Sequence, residues 1–122
     1  MKLIIAGGRD FDDEMLALTE YFNFNAELAT PDDMQAVTEF VSGGARGADR
    51  VGENIARLLS IPVKQFIPDW DGLGKRAGFV RNAEMAEYAD ALLAFWDGSS
   101  KGTAHMIDTA TKKGLIVKVV MY

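Results

Sequence analysis

Lys2-Leu3-Ile4-Ile5-Ala6-Gly7-Gly8-Arg9-Asp10-Phe11 passes from four apolar residues straight into glycine and then into charge. Such a step is expected where a buried strand ends in a loop. Three more apolar runs end the same way. Ala36 to Val41 leads into Ser42-Gly43-Gly44-Ala45-Arg46-Gly47-Ala48-Asp49, Val63 to Ile67 into Pro68-Asp69-Trp70-Asp71-Gly72, and Ala91 to Trp96 into Asp97-Gly98-Ser99-Ser100-Lys101-Gly102-Thr103. Leu115 to Met121 closes the series. Helix-length stretches separate the runs: Asp12 to Tyr21, Asp49 to Ser60, Ala77 to Tyr88 and Thr103 to Lys113. Strands alternating with helices of this length indicate stacked βαβ units and a parallel sheet. The near-continuous apolar strands predict helices on both faces, hence a three-layer α/β sandwich. Right-handed crossovers with one reversal of winding give a five-stranded parallel sheet in the order 3-2-1-4-5. The segment from Asn23 to Gln35, with Pro31, Asp32 and Asp33, breaks the rhythm and reads as a surface excursion.

A chain of 122 residues suits one buried core, so residues 1–122 are expected to form a single domain. Apolar residues at 48% and charged residues at 25% describe a globular chain and exclude disorder as its main state. The formal charge of -5 disfavours non-specific binding to duplex DNA, which needs many phosphate contacts. There is no cysteine, which removes disulfides, thiolate metal sites, cysteine nucleophiles and redox motifs together. The apolar start is too short for a signal-peptide core. No uninterrupted run approaches the roughly 20 residues of a membrane span. The expectation is a soluble protein of the cytoplasm, that of the host cell if a phage encodes it.

In an open parallel sheet, ligands bind beyond the carboxyl ends of the strands where the winding reverses. The glycines cluster there. Gly7, Gly8 and Arg9 after the first strand, and Ser42, Gly43, Gly44, Gly47 and Asp49 after the second, offer accessible amides and a helix start, which together attract phosphate. A strand-to-helix turn also uses glycine with nothing bound. Neither loop spells GxGxxG, and Gly74-Lys75 is followed by Arg76 without the earlier glycine, so ordinary NAD binding and Walker-type NTP hydrolysis are disfavoured. After the third strand, Asp69, Lys75, Arg76, Arg81 and Asn82 combine cations and carboxylates, with a helix expected to start near Lys75. Cations there oppose the helix dipole and suit a bound anion. Gly98, Ser100, Lys101, Gly102 and Thr103 form a fourth phosphate-compatible loop. An anion is expected among the amides of Gly43, Gly44 and Gly102 with Arg81 nearby. His105 is the only histidine, which leaves at most one histidine ligand or one general base and excludes a multi-histidine metal site; it reads as structural. No metal site is expected. Trp70 and Trp96 read as packing residues, although Trp70 falls in a loop where a nucleobase could stack.

Taken together, the four loops resemble those of the SLOG superfamily, the Rossmann-like group that includes the lonely-guy (LOG) phosphoribohydrolases and the core of the DNA-processing protein DprA. The YspA-like branch of uncharacterised bacterial and phage proteins is the nearest likeness. The resemblance implies a Rossmann-like sandwich that binds a nucleotide or a nucleotide derivative such as an ADP-ribose-type molecule, with no further cofactor. From Arg81 to Thr103, the residues Arg81, Met85, Asp90, Ala91 and Ala94 follow the LOG pattern RxxxM and its strand. Arg81 would match the arginine that acts on the ribose phosphate, and it is the one catalytic candidate. The next LOG motif, PGGxGTxxE, is kept only at Gly102-Thr103: Trp96 replaces the proline, one residue is inserted, and Met106 stands at the catalytic glutamate. A thioether can neither take a proton nor stabilise an oxocarbenium ion by charge.

Three functions follow. The first is a nucleotide-sensing binding module, which needs only the loops. The second is a nucleotide-processing hydrolase related to LOG, in which Asp10, Asp49, Asp69, Asp71 or Asp97 replaces the missing glutamate; a carboxylate close to Arg81 would favour it. The third is a DprA-like DNA-associated protein, against which the net charge counts. Partners are a small nucleotide and, by fold analogy, a second copy of the chain, with neither nucleic acid nor membrane.

Overall fold

The computed structural model describes residues 1–122. Five parallel strands, β1 (Lys2–Gly7), β2 (Glu39–Ser42), β3 (Val63–Gln65), β4 (Ala91–Trp96) and β5 (Ile116–Met121), pair in the order β3-β2-β1-β4-β5. The helices are α1 (Glu14–Leu28), α2 (Ala48–Leu58), α3 (Trp70–Leu73), α4 (Ala77–Tyr88) and α5 (Lys101–Lys112), and a 3-10 turn over Gly74–Arg76 joins α3 to α4. The α/β class, the Rossmann-like architecture and the 3-2-1-4-5 order are those expected from the alternating runs.

Side chains alternate across a strand, so each central strand feeds two cores. Leu3 and Ile5 of β1, with Ala91, Leu93 and Phe95 of β4, face α1 and α2 through Ala17, Tyr21, Phe24, Val51 and Ile55. Ile4 and Ala6, with Leu92 and Ala94, face α4 and α5 through Met85, Ala86, Met106 and Ala110. Burial on both faces explains why β1 and β4 read as unbroken apolar runs.

The edge strands depart from that reading. All three residues of β3 are exposed, and β5 is only partly covered. Lys64 and Lys118 interrupt their apolar runs because one side of each strand meets water. Lys118 reaches α1, 2.9 Å from Glu27 and 3.5 Å from Glu20, a charge that discourages pairing of the open edge with another strand.

The excursion expected over Asn23 to Gln35 is half helix. Tyr21 and Phe24 are buried and Leu28 packs against the same core, so Ala17, Tyr21, Phe24 and Leu28 form one stripe at helical spacing. Asn23 and Asn25 interrupt that stripe in the sequence without breaking the helix. Asn25 serves the chain that follows: its Oδ1 accepts from the amide of Val37 at 3.1 Å. That capture, and the bond from the Thr38 amide to the Met1 carbonyl, keep Ala36 to Thr38 out of the ladder, so β2 starts at Glu39, three residues later than expected. The third strand likewise stops at Gln65 instead of Ile67. The helices expected from Asp49 and Thr103 begin at Ala48 and Lys101. No helix is long and apolar enough to cross a membrane.

Candidate functional site

The reversal of winding lies between β1 and β4, so the loops after these strands diverge and leave a crevice at the carboxyl edge of the sheet. A cleft of about 970 Å³ occupies it. Gly7, Gly8, Arg9, Gly43, Gly44, Asp49, Lys75, Arg81, Asn82, Ser100, Gly102 and Thr103 line it, all of them residues that the sequence singles out.

Gly47 shows why the second loop is glycine-rich. It adopts φ +80° at the start of α2, and a Cβ there would overlap the backbone of Gly8 and Arg9. The first and second loops can therefore press together, with the Ala48 amide donating to the Gly8 carbonyl at 3.1 Å. Gly43 marks the convergence of charge. A Cβ on it would overlap Arg81 Nη1 and stand 2.8 Å from Asp49 Oδ2.

Arg81 projects from α4 and is fixed by two bonds. Its Nη1 donates to the Gly43 carbonyl at 2.7 Å, and its Nε donates to Asn82 Oδ1 at 3.1 Å. It makes no contact ion pair. Burial lowers its pKa, and Asp49 opposes that shift. Asp49 itself is 7% exposed. Burial pushes its carboxyl up from 3.8 to about 6, against the Ala45 amide that donates to it at 3.2 Å and the positive charges of Arg81 and Arg9. A carboxyl of this pKa exchanges protons near neutral pH beside an arginine.

Asn82 organises the next layer. Besides receiving Arg81, its Nδ2 donates to the Gly102 carbonyl at 3.4 Å and meets His105 Nδ1 at 3.2 Å. With Nδ1 accepting, the imidazole proton sits on Nε2, directed at Thr109 Oγ1 3.4 Å away. Burial lowers the His105 pKa, and the ring packs tilted against Phe79 with 4.4 Å between centroids. His105 stands behind the cleft wall as a structural residue.

At the last loop, Trp96 Nε1 donates to the Ser100 carbonyl at 3.1 Å, and Asp97 Oδ1 accepts from the amides of Ser99 and Ser100, which lowers the Asp97 pKa. Ser100 does not cap α5; its hydroxyl pairs with Thr103 Oγ1 at 3.2 Å. The amides of Lys101, Gly102 and Thr103 thus have no partner within the chain, and α5 presents its positive dipole end at the cleft.

Several expected site residues serve the frame instead. Ser42 is buried, donating to Glu53 Oε2 at 2.6 Å and accepting from the Gly44 amide at 3.1 Å. The Gly44 amide is therefore already engaged, which corrects the expected trio of Gly43, Gly44 and Gly102 amides: a hydroxyl two residues earlier competes for it. Asp69 caps α3, accepting from the Gly72 amide at 2.9 Å. Gly98, with φ +88°, turns the loop, and Lys101 is exposed; neither they nor Ser42, Gly47 or Asp69 line the cleft. The helix expected near Lys75 is α4, which starts at Ala77 after the 3-10 turn, and a separate short helix, α3, carries Trp70. Trp70 is 51% exposed and lines the cleft, not a packing residue.

Asp10 and Asp97, two of the candidate carboxylates, also line the cleft, and residues not anticipated as site residues complete its walls: Arg46, Ile67, Phe79, Met85 and Tyr122. Tyr122 packs edge-on against Phe11, 4.9 Å between centroids, and its hydroxyl covers Gly8. The position was in principle readable, because the residue after a parallel strand's carboxyl end falls on the ligand edge. Met106 is 1% exposed, belongs to the core and forms part of the cleft floor.

A "Gene 61 protein" of Mycobacterium phage D29 is 40% identical over 83 residues, an alignment spanning 63% of this chain and 66% of that protein. No family model and no solved structure matches.

Proposed function

We propose that this chain is a binding module for a nucleotide or nucleotide derivative of the ADP-ribose type, held by its phosphate. The observation that carries the proposal is Arg81, a half-buried guanidinium with no contact ion pair, fixed at the Gly43 carbonyl and opening on the same cleft as the uncapped start of α5. Arginine spans two phosphate oxygens with parallel N–H bonds, and free amides at a helix start complete such a cradle. The SLOG resemblance supports the nucleotide part of this reading.

Calorimetry with AMP and ADP-ribose, preceded by native mass spectrometry of the purified protein, tests it. Arg81→Ala removes charge-assisted bonds worth about 1.5–3 kcal/mol, a roughly ten- to hundredfold weaker affinity. Absence of binding by the wild-type protein, or equal binding by Arg81→Ala, refutes it.

A second reading, hydrolysis of an N-glycosidic bond, is favoured by one specific observation: Asp49 faces Arg81 with a carboxyl pKa of about 6. Release of base or ribose 5-phosphate from AMP by the unmodified protein would establish this reading in place of a sensor.

A further inference from the structure

We infer that the outer wall of the cleft seats the purine base of the ligand, with Trp70 and Phe79 as its stacking faces. This rests on the phosphate reading of the inner wall. Ile67, Trp70 and Phe79 are 65%, 51% and 48% exposed, and all three line the same cleft. Large apolar side chains left in water and gathered around one concavity mark a binding surface.

The wall adjoins the glycine loop after β2. Ile67 Cδ1 lies 2.7 Å from the point where a Gly44 Cβ would stand, so apolar surface begins where the glycine loop ends. The Trp70 indole passes over Gly78, where a Cβ would meet its Cη2 at 3.6 Å. Phe79 packs tilted against His105, with 4.4 Å between ring centroids. A sugar phosphate alone has nothing to place on two aromatic rings, whereas a flat heteroaromatic base gains by stacking on either. Two rings and an isoleucine offer more area than a pyrimidine covers, which favours a purine.

The test compares AMP with ribose 5-phosphate on the wild-type protein, Trp70→Ala and Trp70→Phe by calorimetry. Light scattering of each variant follows the mass in solution. Wild type is expected to bind AMP about five- to hundredfold more tightly than ribose 5-phosphate. Trp70→Ala should lose most of that preference while keeping its affinity for ribose 5-phosphate, and Trp70→Phe should retain part of it. Equal affinities for the two probes, both untouched by Trp70→Ala, would overturn the base seat and leave the phosphate reading standing. A drop in mass on Trp70→Ala with no change in AMP affinity would also overturn it, by giving the wall to a second copy of the chain. If neither probe binds wild type, the phosphate reading falls and the base seat with it.

Discussion

Asp49→Asn should make this protein more stable at neutral pH, although it removes a charge that faces an arginine. Asp49 titrates at 3.8 when exposed and at about 6 in the fold. A folded pKa above the unfolded one means that the native state holds its proton more tightly, so ionisation works against folding. The destabilisation is absent below the unfolded value, grows between about pH 4 and pH 6, and is fully present above the folded value. About two pKa units correspond to about 3 kcal/mol. Asparagine keeps an oxygen for the Ala45 amide and carries no charge to desolvate, but it turns an NH₂ group towards the Arg81 donors and so forfeits part of the gain. A net stabilisation of about 1–2 kcal/mol is expected at pH 7.5, or roughly 3–10 °C in Tm for a chain of this length.

Thermal unfolding of both proteins from pH 4 to pH 8 provides the assay. The difference in Tm should vanish near pH 4, where Asp49 is protonated and asparagine is its near-isostere, and open through pH 6. His105 adds a slope of opposite sign, because its lowered pKa makes protonation on acidification unfavourable to the fold. It is present in both proteins and drops out of the difference. A variant less stable than wild type at pH 7.5, or a Tm difference independent of pH, would refute the reasoning by showing that attraction to Arg81 outweighs burial.

Two further substitutions probe the same cleft. Gly43→Ala puts a Cβ where Arg81 Nη1 lies, so the guanidinium must leave the Gly43 carbonyl; a roughly tenfold loss of AMP affinity is expected by calorimetry, with a stability loss of about 1 kcal/mol. Met106→Glu puts a carboxyl at a cleft-floor site that is 1% exposed, and should destabilise the fold by several kcal/mol at pH 8 with recovery in acid as the buried carboxyl protonates. A Tm unchanged from pH 8 to pH 5 would mean that the new side chain escapes to solvent.

What could be read from the residues depended on whether one side chain or many decided the outcome. β1 and β4 were legible because both faces are buried, so Leu3 to Ala6 and Ala91 to Trp96 are apolar throughout and the run needs no phase. β3 and β5 were blurred because an edge strand answers to water on one side, and Lys64 and Lys118 record that. The second half of α1 was missed because Asn23 and Asn25 resemble turn residues locally, while the stripe through Tyr21 and Phe24 shows only when helical phase is followed past them. Tertiary burial, not local propensity, carries the helix through.

The cleft divides along the same line. Its inner wall is backbone: a parallel sheet fixes where each strand-to-loop junction lies, and Gly43, Gly44 and Gly102 announce those junctions in the sequence. Which amides remain free is a different matter, since Ser42 withdraws that of Gly44 while Ser100 turns to Thr103 and leaves α5 open. The outer wall is side chain, built on a four-residue helix that exists because Asp69 caps it at Gly72. The proton affinity of Asp49 is set last of all, by its burial and then by the Ala45 amide, Arg81, Glu53 and Arg9, brought together from three segments of the chain. Glycine spacing can therefore announce the loops that border the cleft, but the pH at which the buried carboxyl among them ionises is a property of the closed structure, and the Asp49→Asn titration measures that property directly.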